Sequence, residues 1–341
     1  MKPFPKHWVI LLMAGILVAI QAGGELFGQK NKKINVPDSL KIERKDTTSL
    51  FLNDSTLKQK WEKGGKAGVT LAQVYLVNWV SGGESSLSGV AQAHLFAKRL
   101  RKTSLWENTL DARLGYVGQG KIYQKTTDRL DIVTSGRVYL KEKWFYAWRV
   151  NLRTQMLPGY GLPGDSVIIS NFLSPGYMYI NLGFDYHPFK GHTLLLAPLS
   201  SKVTIVADQE LANKGAFGVI MATFDVITNT ILSFGQNLKY EFGGFVRYTF
   251  KGQITPTTSL ETRLELFSNY LKKPQNVDID WEVLGKVKIS DKVSVNLYTH
   301  LIYDDDIKME TDNLGNVIRG PKVQFQEILG LGLTLNFSNE K

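Results

Sequence analysis

Apolar and polar side chains alternate with a period of two from Lys66 onward, which is the period of a β-strand. The segment 144–156 shows this most clearly. One of its faces carries Trp144, Tyr146, Trp148, Val150, Leu152 and Met156, and the other carries Arg149, Asn151, Arg153 and Gln155. The pattern predicts a strand with one apolar side and one charged side.

The same alternation predicts twelve strands. We place them at residues 67–77, 87–98, 106–116, 129–140, 144–156, 177–186, 193–206, 240–250, 259–270, 277–289, 293–303 and 324–337. Strands in soluble sheets usually have about 5–6 residues, whereas roughly 9–11 residues cross a bilayer at a tilt. The lengths therefore favour a membrane-spanning sheet.

The connections between these segments alternate between short and long. Short ones fall near 99–104, 141–143, 187–192, 251–257 and 290–292; long ones fall near 78–86, 117–128, 157–176, 207–237 and 304–323, with 271–276 as the one brief exception. Short periplasmic turns and long outer loops are typical of outer-membrane barrels, and a lipid-exposed sheet must close because its edges cannot stay unpaired. We therefore predict an all-β fold, a closed antiparallel transmembrane β-barrel of twelve strands in up-and-down order. The even count brings both chain ends to the periplasmic side.

Large aromatic residues sit on the apolar faces, many of them near the ends of the predicted strands. They are Trp106, Tyr116, Trp144, Trp148, Tyr240, Phe250, Trp281 and Phe337. Membrane barrels carry aromatic girdles at both membrane interfaces. We expect these eight side chains to face lipid or to lie at an interface.

The N-terminus has the features of an export signal. Lys2 and Lys6 precede an apolar run at residues 8–20, which is too short for a membrane helix of about 20 residues. We predict a signal peptide at residues 1–28, with cleavage after Gly28 favoured over Ala22. Residues 29–60 are polar and are expected to form a flexible periplasmic segment, and residues 61–341 form the barrel.

Composition excludes several classes of protein. The chain has no cysteine, so a disulfide or thiolate metal site is impossible. Its net charge of +10 divides equally between residues 1–65 and the remainder, so the barrel segment is nearly balanced. No basic stripe or aromatic-basic motif indicates nucleic-acid binding. No cofactor is predicted.

Two groups of polar residues allow both a structural and a functional interpretation. Asp304, Asp305 and Asp306 open a predicted outer loop, where carboxylates can bind Ca²⁺ or bridge divalent ions to lipopolysaccharide. Their spacing does not match an EF-hand, and a solvated acidic loop is the favoured interpretation. A lipid hydrolase would need a serine beside a histidine. His94 and His300 are expected to face the lumen without such a serine, so no catalytic residue is assigned.

Residue counting across the hairpins predicts a polar network inside the barrel. Opposed residues have a constant index sum that is fixed by the centre of the turn. The turn at 141–143 sets Asp131 against Arg153, and the turn at 290–292 sets Glu282 against His300. The connection 271–276 sets Glu261 against Lys286 and Glu265 against Glu282, with Arg263 diagonal to the carboxylates. The network would be a pH-sensitive gate, a cation site, or a structural tie between strands.

Several motifs resemble the uncharacterised domain-of-unknown-function family numbered 3078, found in outer-membrane proteins of diderm bacteria. They are Trp61 with Gly64-Gly65, Asn78-Trp79 with Ser81-Gly82-Gly83-Glu84, residues 266–270 with Pro274-Gln275-Asn276, residues 299–306, and residues 320–325. The similarity covers roughly residues 57–337, although the segment 221–236 is longer and more apolar than the family pattern. The resemblance implies an outer-membrane barrel, and because the family has no assigned activity it leaves the function open.

These observations predict an outer-membrane protein with several possible roles. The first is a small diffusion channel or substrate-specific pore. The alternatives are a closed structural or assembly-related barrel, and an outer-membrane-embedded lipid hydrolase. Expected partners are outer-membrane lipids, lipopolysaccharide and the barrel-assembly machinery, and the oligomeric state stays open.

Overall fold

The computed structural model describes residues 61–338, with gaps at 75–84, 120–121, 162–166, 226, 229, 305–309, 312–316 and 320–321. The predicted signal peptide and the segment 29–60 lie outside the described residues. So do Asp305, Asp306 and the Asn78-Trp79 motif with its glycines.

Twelve strands form one closed antiparallel barrel in which each strand pairs with its neighbours in the chain and the last pairs with the first. They are β1 (Trp61–Val74), β2 (Ser86–Leu100), β3 (Ser104–Gln119), β4 (Ile122–Lys141), β5 (Trp144–Thr154), β6 (Gly176–Tyr186), β7 (His192–Ile205), β8 (Leu238–Gln253), β9 (Thr258–Asn269), β10 (Asp278–Lys288), β11 (Val293–Tyr303) and β12 (Gln324–Ser338). The predicted class, strand number and up-and-down order are confirmed.

The prediction of a long loop at 117–128 is wrong. β3 continues to Gln119 and β4 starts at Ile122, and these two residues pair directly. The glycines of this segment resemble loop residues in the sequence, but Gly118 lies opposite Tyr123 in the ladder. A Cβ on Gly118 would lie 2.9 Å from the Tyr123 ring, so the glycine accommodates a cross-strand aromatic contact.

The long connections at the opposite end from the chain termini carry small elements of their own. One is a helix, α1 (Gln209–Asn213), and one is a 3₁₀ turn (Ala216–Gly218). Three two-stranded sheets pair Gly159–Tyr160 with Ile168–Ser170, Thr223–Phe224 with Ile231–Ser233, and Glu310–Thr311 with Val317–Arg319. No helix in the described part of the chain is long and apolar enough to cross a membrane.

The barrel is apolar outside and polar inside. Along β5, Tyr146 is exposed on the outer face, whereas Arg149 and Asn151 are buried on the inner face. Along β12, Leu329, Leu331, Leu333 and Leu335 are each more than half exposed. This inverts the burial pattern of a water-soluble domain.

A β-bulge in β7 changes which residues of that strand face inward. The pairing with β8 shifts between Ala197, opposite Phe245, and Ser200, opposite Gly243. Pro198 and Leu199 between them are both exposed. A bulge adds one residue to one strand of a pair, so the inward positions change from odd to even numbers. Lys202 is buried inside the barrel for this reason.

Candidate functional site: a charged layer across the lumen

The centre of the barrel is occupied by charged side chains from six strands that lie on opposite sides of the lumen. We call them the lumenal charge layer, and its members are Arg129, Asp131, Arg153, Arg247, Arg263, Glu265, Asp280, Glu282 and His300. Each occupies an inward position of β4, β5, β8, β9, β10 or β11. Four guanidinium groups therefore face four carboxylates, with a histidine beside them.

Two short turns place their residues as the counting predicts. Asp131 lies opposite Arg153, whose Nε donates to Asp131 Oδ1 at 2.9 Å. Glu282 lies opposite His300, and 3.8 Å separates His300 Nε2 from Glu282 Oε1. The turn at 290–292 is symmetric, and in the β4–β5 hairpin a register shift between Tyr139 and Lys141 brings the ladder to the pairing that was counted.

The pairing expected across the connection between β9 and β10 is wrong. Glu265 lies opposite Asp280, not Glu282, and Arg263 lies opposite Glu282. The connection is asymmetric because the ladder closes at Phe267 and Asp278, while Lys273 adopts a left-handed conformation with φ 51°. Its pairing centre therefore differs from its sequence centre.

Glu261 and Lys286 also have other partners than expected. Glu261 forms an ion pair with Lys251 at 2.7 Å. Lys286 lies opposite Ser259, and its Nζ donates to Thr334 Oγ1 at 3.1 Å. Glu261 and Lys286 therefore do not pair with each other. The contacts described for them do not include a residue of the lumenal charge layer.

Contacts within the layer cross the lumen. Arg129 on β4 forms an ion pair with Glu282 on β10. These strands are six positions apart in either direction around the barrel, so they are diametrically opposed. Arg153 on β5 reaches Glu265 on β9 at 3.0 Å and also contacts Asp280 on β10. The layer thus joins opposite walls.

Each buried carboxylate of the layer has at least one guanidinium partner. Arg263 Nη2 lies 2.8 Å from Glu282 Oε2, and Arg247 Nε lies 3.2 Å from Glu265 Oε1. Burying an unpaired charge costs several kcal/mol, whereas breaking a buried pair by removing one partner typically costs about 3–5 kcal/mol. The mutual pairing is what allows so many charges to lie inside one barrel.

Asp280, Glu282 and His300 offer ligand atoms that lie within 4.8 Å of one another, close enough to hold one metal ion. However, their oxygens are already engaged. Asp280 contacts Arg153 and His300, and Glu282 contacts Arg129 and Arg263. A metal ion here would have to displace guanidinium groups, so arginine takes the cation's place in this arrangement.

A second buried cluster lies nearer the long connections. Lys202 is only 1 % exposed, and its Nζ lies 2.6 Å from Asp278 and 2.8 Å from Asp304. Glu241 follows at 4.0 Å. This cluster could not be predicted from the sequence, because the bulge that turns Lys202 inward has no clear signature beyond Pro198. Asp304 was expected in a solvated acidic loop, and this is wrong for that residue, because Lys202 binds it inside.

The end of the lumen near the short turns is also occupied. Phe145 is 1 % exposed and contacts the ring of Tyr139. Arg137 Nη1 lies 2.8 Å from His187 Nε2 and 3.2 Å from Asp185 Oδ2. Side chains therefore fill the barrel at three heights.

Most of the expected interfacial aromatics lie on the outer surface. Trp106, Tyr116 and Tyr240 are exposed there, and Trp148 contacts Trp106 edge to face. Trp144 stacks on Tyr186, and Trp281 donates to Thr262 Oγ1 at 2.9 Å.

Phe250 and Phe337 stand apart from the other aromatics. Phe250 is buried, and the ring of His192 lies against it at a centroid distance of 4.6 Å, so it does not face lipid directly and the interfacial alternative stays a prediction. Phe337 lies in β12 opposite Gly65, and its side chain is outside the described residues.

The two histidines that were expected in the lumen, His94 and His300, have carboxylate partners. His94 Nδ1 lies 2.7 Å from Asp111 Oδ1, and His300 Nε2 lies 3.1 Å from Asp280 Oδ1. Both occupy inward positions of their strands. The lipid-facing wall, where a membrane-embedded hydrolase would carry its catalytic group, therefore does not contain them.

Comparison with known proteins agrees with the expected resemblance over part of the chain. A family model described as "Protein of unknown function (DUF3078)" matches residues 71–160. No curated protein matches the chain.

Similar solved structures are outer-membrane barrels with low sequence identity. The translocator domain of the autotransporter NalP from Neisseria meningitidis is 9 % identical, with 84 % of this chain and 91 % of that chain covered and a TM-score of 0.32. An outer-membrane channel from Pseudomonas putida F1 is 12 % identical, with 83 % and 100 % covered and a TM-score of 0.37. The NanC porin is 9 % identical, with 80 % and 100 % covered and a TM-score of 0.32.

Proposed function

We propose that this protein is an outer-membrane β-barrel whose lumen is closed to free diffusion at rest by the lumenal charge layer. The observation that carries the proposal is the ion pair between Arg129 and Glu282, which joins diametrically opposed strands. The proposal combines a membrane location with a closed lumen, and each rests on a separate set of residues.

The outer surface supports the membrane location. The four alternate leucines of β12 from Leu329 to Leu335 are each more than half exposed. Fully burying one leucine side chain gains about 1.5–3 kcal/mol relative to leaving it in water, so an apolar wall of this kind favours contact with lipid. The short connections lie on the side of both chain ends, which fits the periplasmic side of an outer-membrane barrel.

The dimensions of the barrel support the closure. Eight strands enclose an interior that side chains can just fill, and twelve enclose more room. Long side chains from opposite walls must therefore meet to close it. Arg129, Arg153 and Arg263 reach carboxylates on distant strands in this way. The Lys202 cluster and the group around Phe145 add two further barriers.

A small channel for polar solutes is the second candidate, and one observation favours it. Arg129 Nη2 and Arg263 Nε are buried without a hydrogen-bond partner among the described residues. Unsatisfied buried donors are rare in proteins. Such groups would suit an anion or polar solute that passes through the layer when its ion pairs rearrange.

Single-channel recording in a planar bilayer distinguishes the two candidates. The refolded mature protein should remain mostly non-conducting, and the double variant Arg129→Ala/Glu282→Ala should give frequent conductance steps. The matched control is Lys251→Ala/Glu261→Ala, which removes an exposed ion pair outside the layer and should behave like the unchanged protein. Steady conductance of the unchanged protein would overturn the closed state and favour the channel.

A further inference from the structure

The connection between β7 and β8 is almost free of charge in its second part, after Lys214. Between Lys214 and Lys239 the only charged residue is Asp225, whereas the connection 304–323 contains eight charged residues. Loops that extend into water are normally rich in polar residues. The composition of this connection therefore indicates an environment other than bulk water.

Part of this connection forms a hairpin in which Thr223–Phe224 pairs with Ile231–Ser233, and we call it the apolar hairpin. Apolar side chains in and beside it are exposed, namely Ile220, Met221, Phe224, Ile227, Ile231, Leu232 and Phe234. Ile227 at the tip is 94 % exposed, and Leu232 and Phe234 are each 67 % exposed. An exposed apolar patch of this kind marks a binding surface.

The exposure occurs on both faces of the hairpin. Ile231 and Leu232 are consecutive in a strand, so their side chains point to opposite faces, and both are exposed. A protein partner would cover one face and leave the other in water. Lipid can surround both faces, so the distribution favours lipid as the occupant.

The base of the hairpin is fixed to the rest of the connection. Ala222 N–H donates to Asn213 O at 3.0 Å, and Gly235 N–H donates to Asn213 Oδ1 at 2.9 Å. A Cβ on Gly235 would overlap the Ala212 carbonyl, so glycine allows the returning chain to lie against α1. Beneath this base, Val206, Leu211, Ala212 and Val219 form a buried cluster. The apolar side chains are thus held outward by a built structure.

Asp225, the only charged residue between Lys214 and Lys239, forms hydrogen bonds within the turn of the apolar hairpin. The Asp225 carboxylate accepts hydrogen bonds from Ile227 N–H at 2.9 Å and Thr228 N–H at 2.8 Å. These backbone bonds lower the pKa of Asp225. The carboxylate therefore shapes the hairpin tip and stays ionised, which favours a position among polar headgroups over one among acyl chains.

The hairpin also continues the apolar outer surface of the barrel. β8 follows it directly, and its first outward side chains, Leu238, Tyr240 and Phe242, are all exposed. The charged residues between them point inward, where Lys239 and Glu241 form an ion pair at 3.1 Å. No charged side chain separates the hairpin from the lipid-facing wall along this stretch of the chain.

We propose that the apolar hairpin is a lipid-binding element that rests on the outer leaflet, in the boundary between headgroups and acyl chains. This inference depends on the membrane location proposed above, but not on whether the lumen is closed. The hairpin has only two strands, so its edges keep unpaired backbone groups that hydrocarbon cannot satisfy. The interface suits such a structure better than the bilayer centre.

Site-directed spin labelling tests this placement, and the absence of native cysteines makes it direct. Single variants Leu232→Cys, Leu333→Cys and Asp291→Cys would be labelled with a nitroxide and reconstituted in vesicles of phosphatidylcholine and phosphatidylglycerol. Leu333 lies on the exposed outer face of β12 and reports lipid, and Asp291 lies in an exposed short turn and reports water. Collision with oxygen and with a water-soluble nickel complex gives the accessibility of each label.

The label at Leu232 should collide several-fold more with oxygen than with the nickel complex, like the label at Leu333. Adding Phe224→Asp and Phe234→Asp to the Leu232→Cys variant should move the label towards the values at Asp291. If Leu333 is lipid-exposed but Leu232 matches Asp291, the hairpin proposal is overturned and the membrane location stands. If Leu333 also reports water, the membrane location itself fails. Spin–spin broadening at Leu232 would identify a second copy as the occupant and would also overturn the proposal.

Discussion

Arg129 and Glu282 lie on strands at opposite sides of the barrel, and their side chains form an ion pair across the lumen. Only 13 % and 14 % of these two side chains is exposed, so removal of Arg129 leaves Glu282 largely shielded from water, with Arg263 as its remaining partner. We expect Arg129→Ala to destabilise the barrel by about 3–5 kcal/mol. Arg129→Ala/Glu282→Ala should cost clearly less than the sum of the two single changes. Denaturant unfolding in detergent micelles measures all three, and strictly additive effects would contradict the pairing.

The outward face of β4 and β5 gives a prediction about depth in the membrane. Leu152 pairs with Ile132 in the middle of the outer wall, whereas Leu140 lies near a short turn. Leu152→Arg should cost about 2–4 kcal/mol, and Leu140→Arg about 0–1 kcal/mol, because the cost of a cation on the lipid face falls towards the interfaces. Unfolding in lipid vesicles provides the measurement. Equal costs at both positions would show that the wall does not contact a bilayer as described.

Lys202 is predicted to hold the first residue of the connection between β11 and β12. Its ammonium group lies 2.8 Å from Asp304 and 2.6 Å from Asp278. Lys202→Met leaves both carboxylates without this partner, so we expect a loss of about 3–5 kcal/mol and faster proteolysis near residue 304. Lys202→Met/Asp304→Asn should recover part of the loss. No recovery in the double variant would mean that Asp304 does not depend on Lys202.

Gly183 is predicted to be indispensable for the bulge in β7. A Cβ on Gly183 would overlap the backbone of Leu196 and Ala197, next to the register shift. Backbone atoms cannot move aside cheaply, so Gly183→Ala should cost about 1–3 kcal/mol, the usual range for overpacking.

Gly285→Ala is the matched control for this change, because the nearest atom to its Cβ would be 3.9 Å away. It should be tolerated. The stability of the two variants is compared by the temperature at which the folded barrel loses its mobility shift in gel electrophoresis. Similar behaviour of the two would argue against a close approach at Gly183.

The fold can be predicted from the sequence because the alternation of apolar and polar residues that indicates each strand is a local pattern. A period of two needs only neighbouring residues, and it places all twelve strands. Pairing across tight turns is equally local, so Asp131 with Arg153 and Glu282 with His300 follow from counting. The pairing of Glu265 does not, because the left-handed Lys273 makes its connection asymmetric.

The contacts across the lumen are beyond such counting. Arg129 meets Glu282 only because the strands tilt and stagger by a particular amount when the barrel closes. That stagger is a property of the whole sheet, and no single hairpin encodes it. Lys202 was missed for a related reason, since one bulge in β7 reverses its orientation.

The direct hairpin between β3 and β4 makes the barrel uneven in height. β3 has 16 residues and β4 has 20, whereas β5 and β10 have 11 each. At about 3.3 Å per residue, β4 is longer than its neighbour β5 by roughly 30 Å before tilt is considered, whereas β2 reaches as far as β3 because Ser86 pairs with Gln119. At the end remote from the chain termini, β2, β3 and β4 therefore extend further than β5, which ends at Thr154 opposite Leu130. On this side of the barrel, a molecule that approaches from that end would meet the projecting end of β4 before it reaches the end of β5.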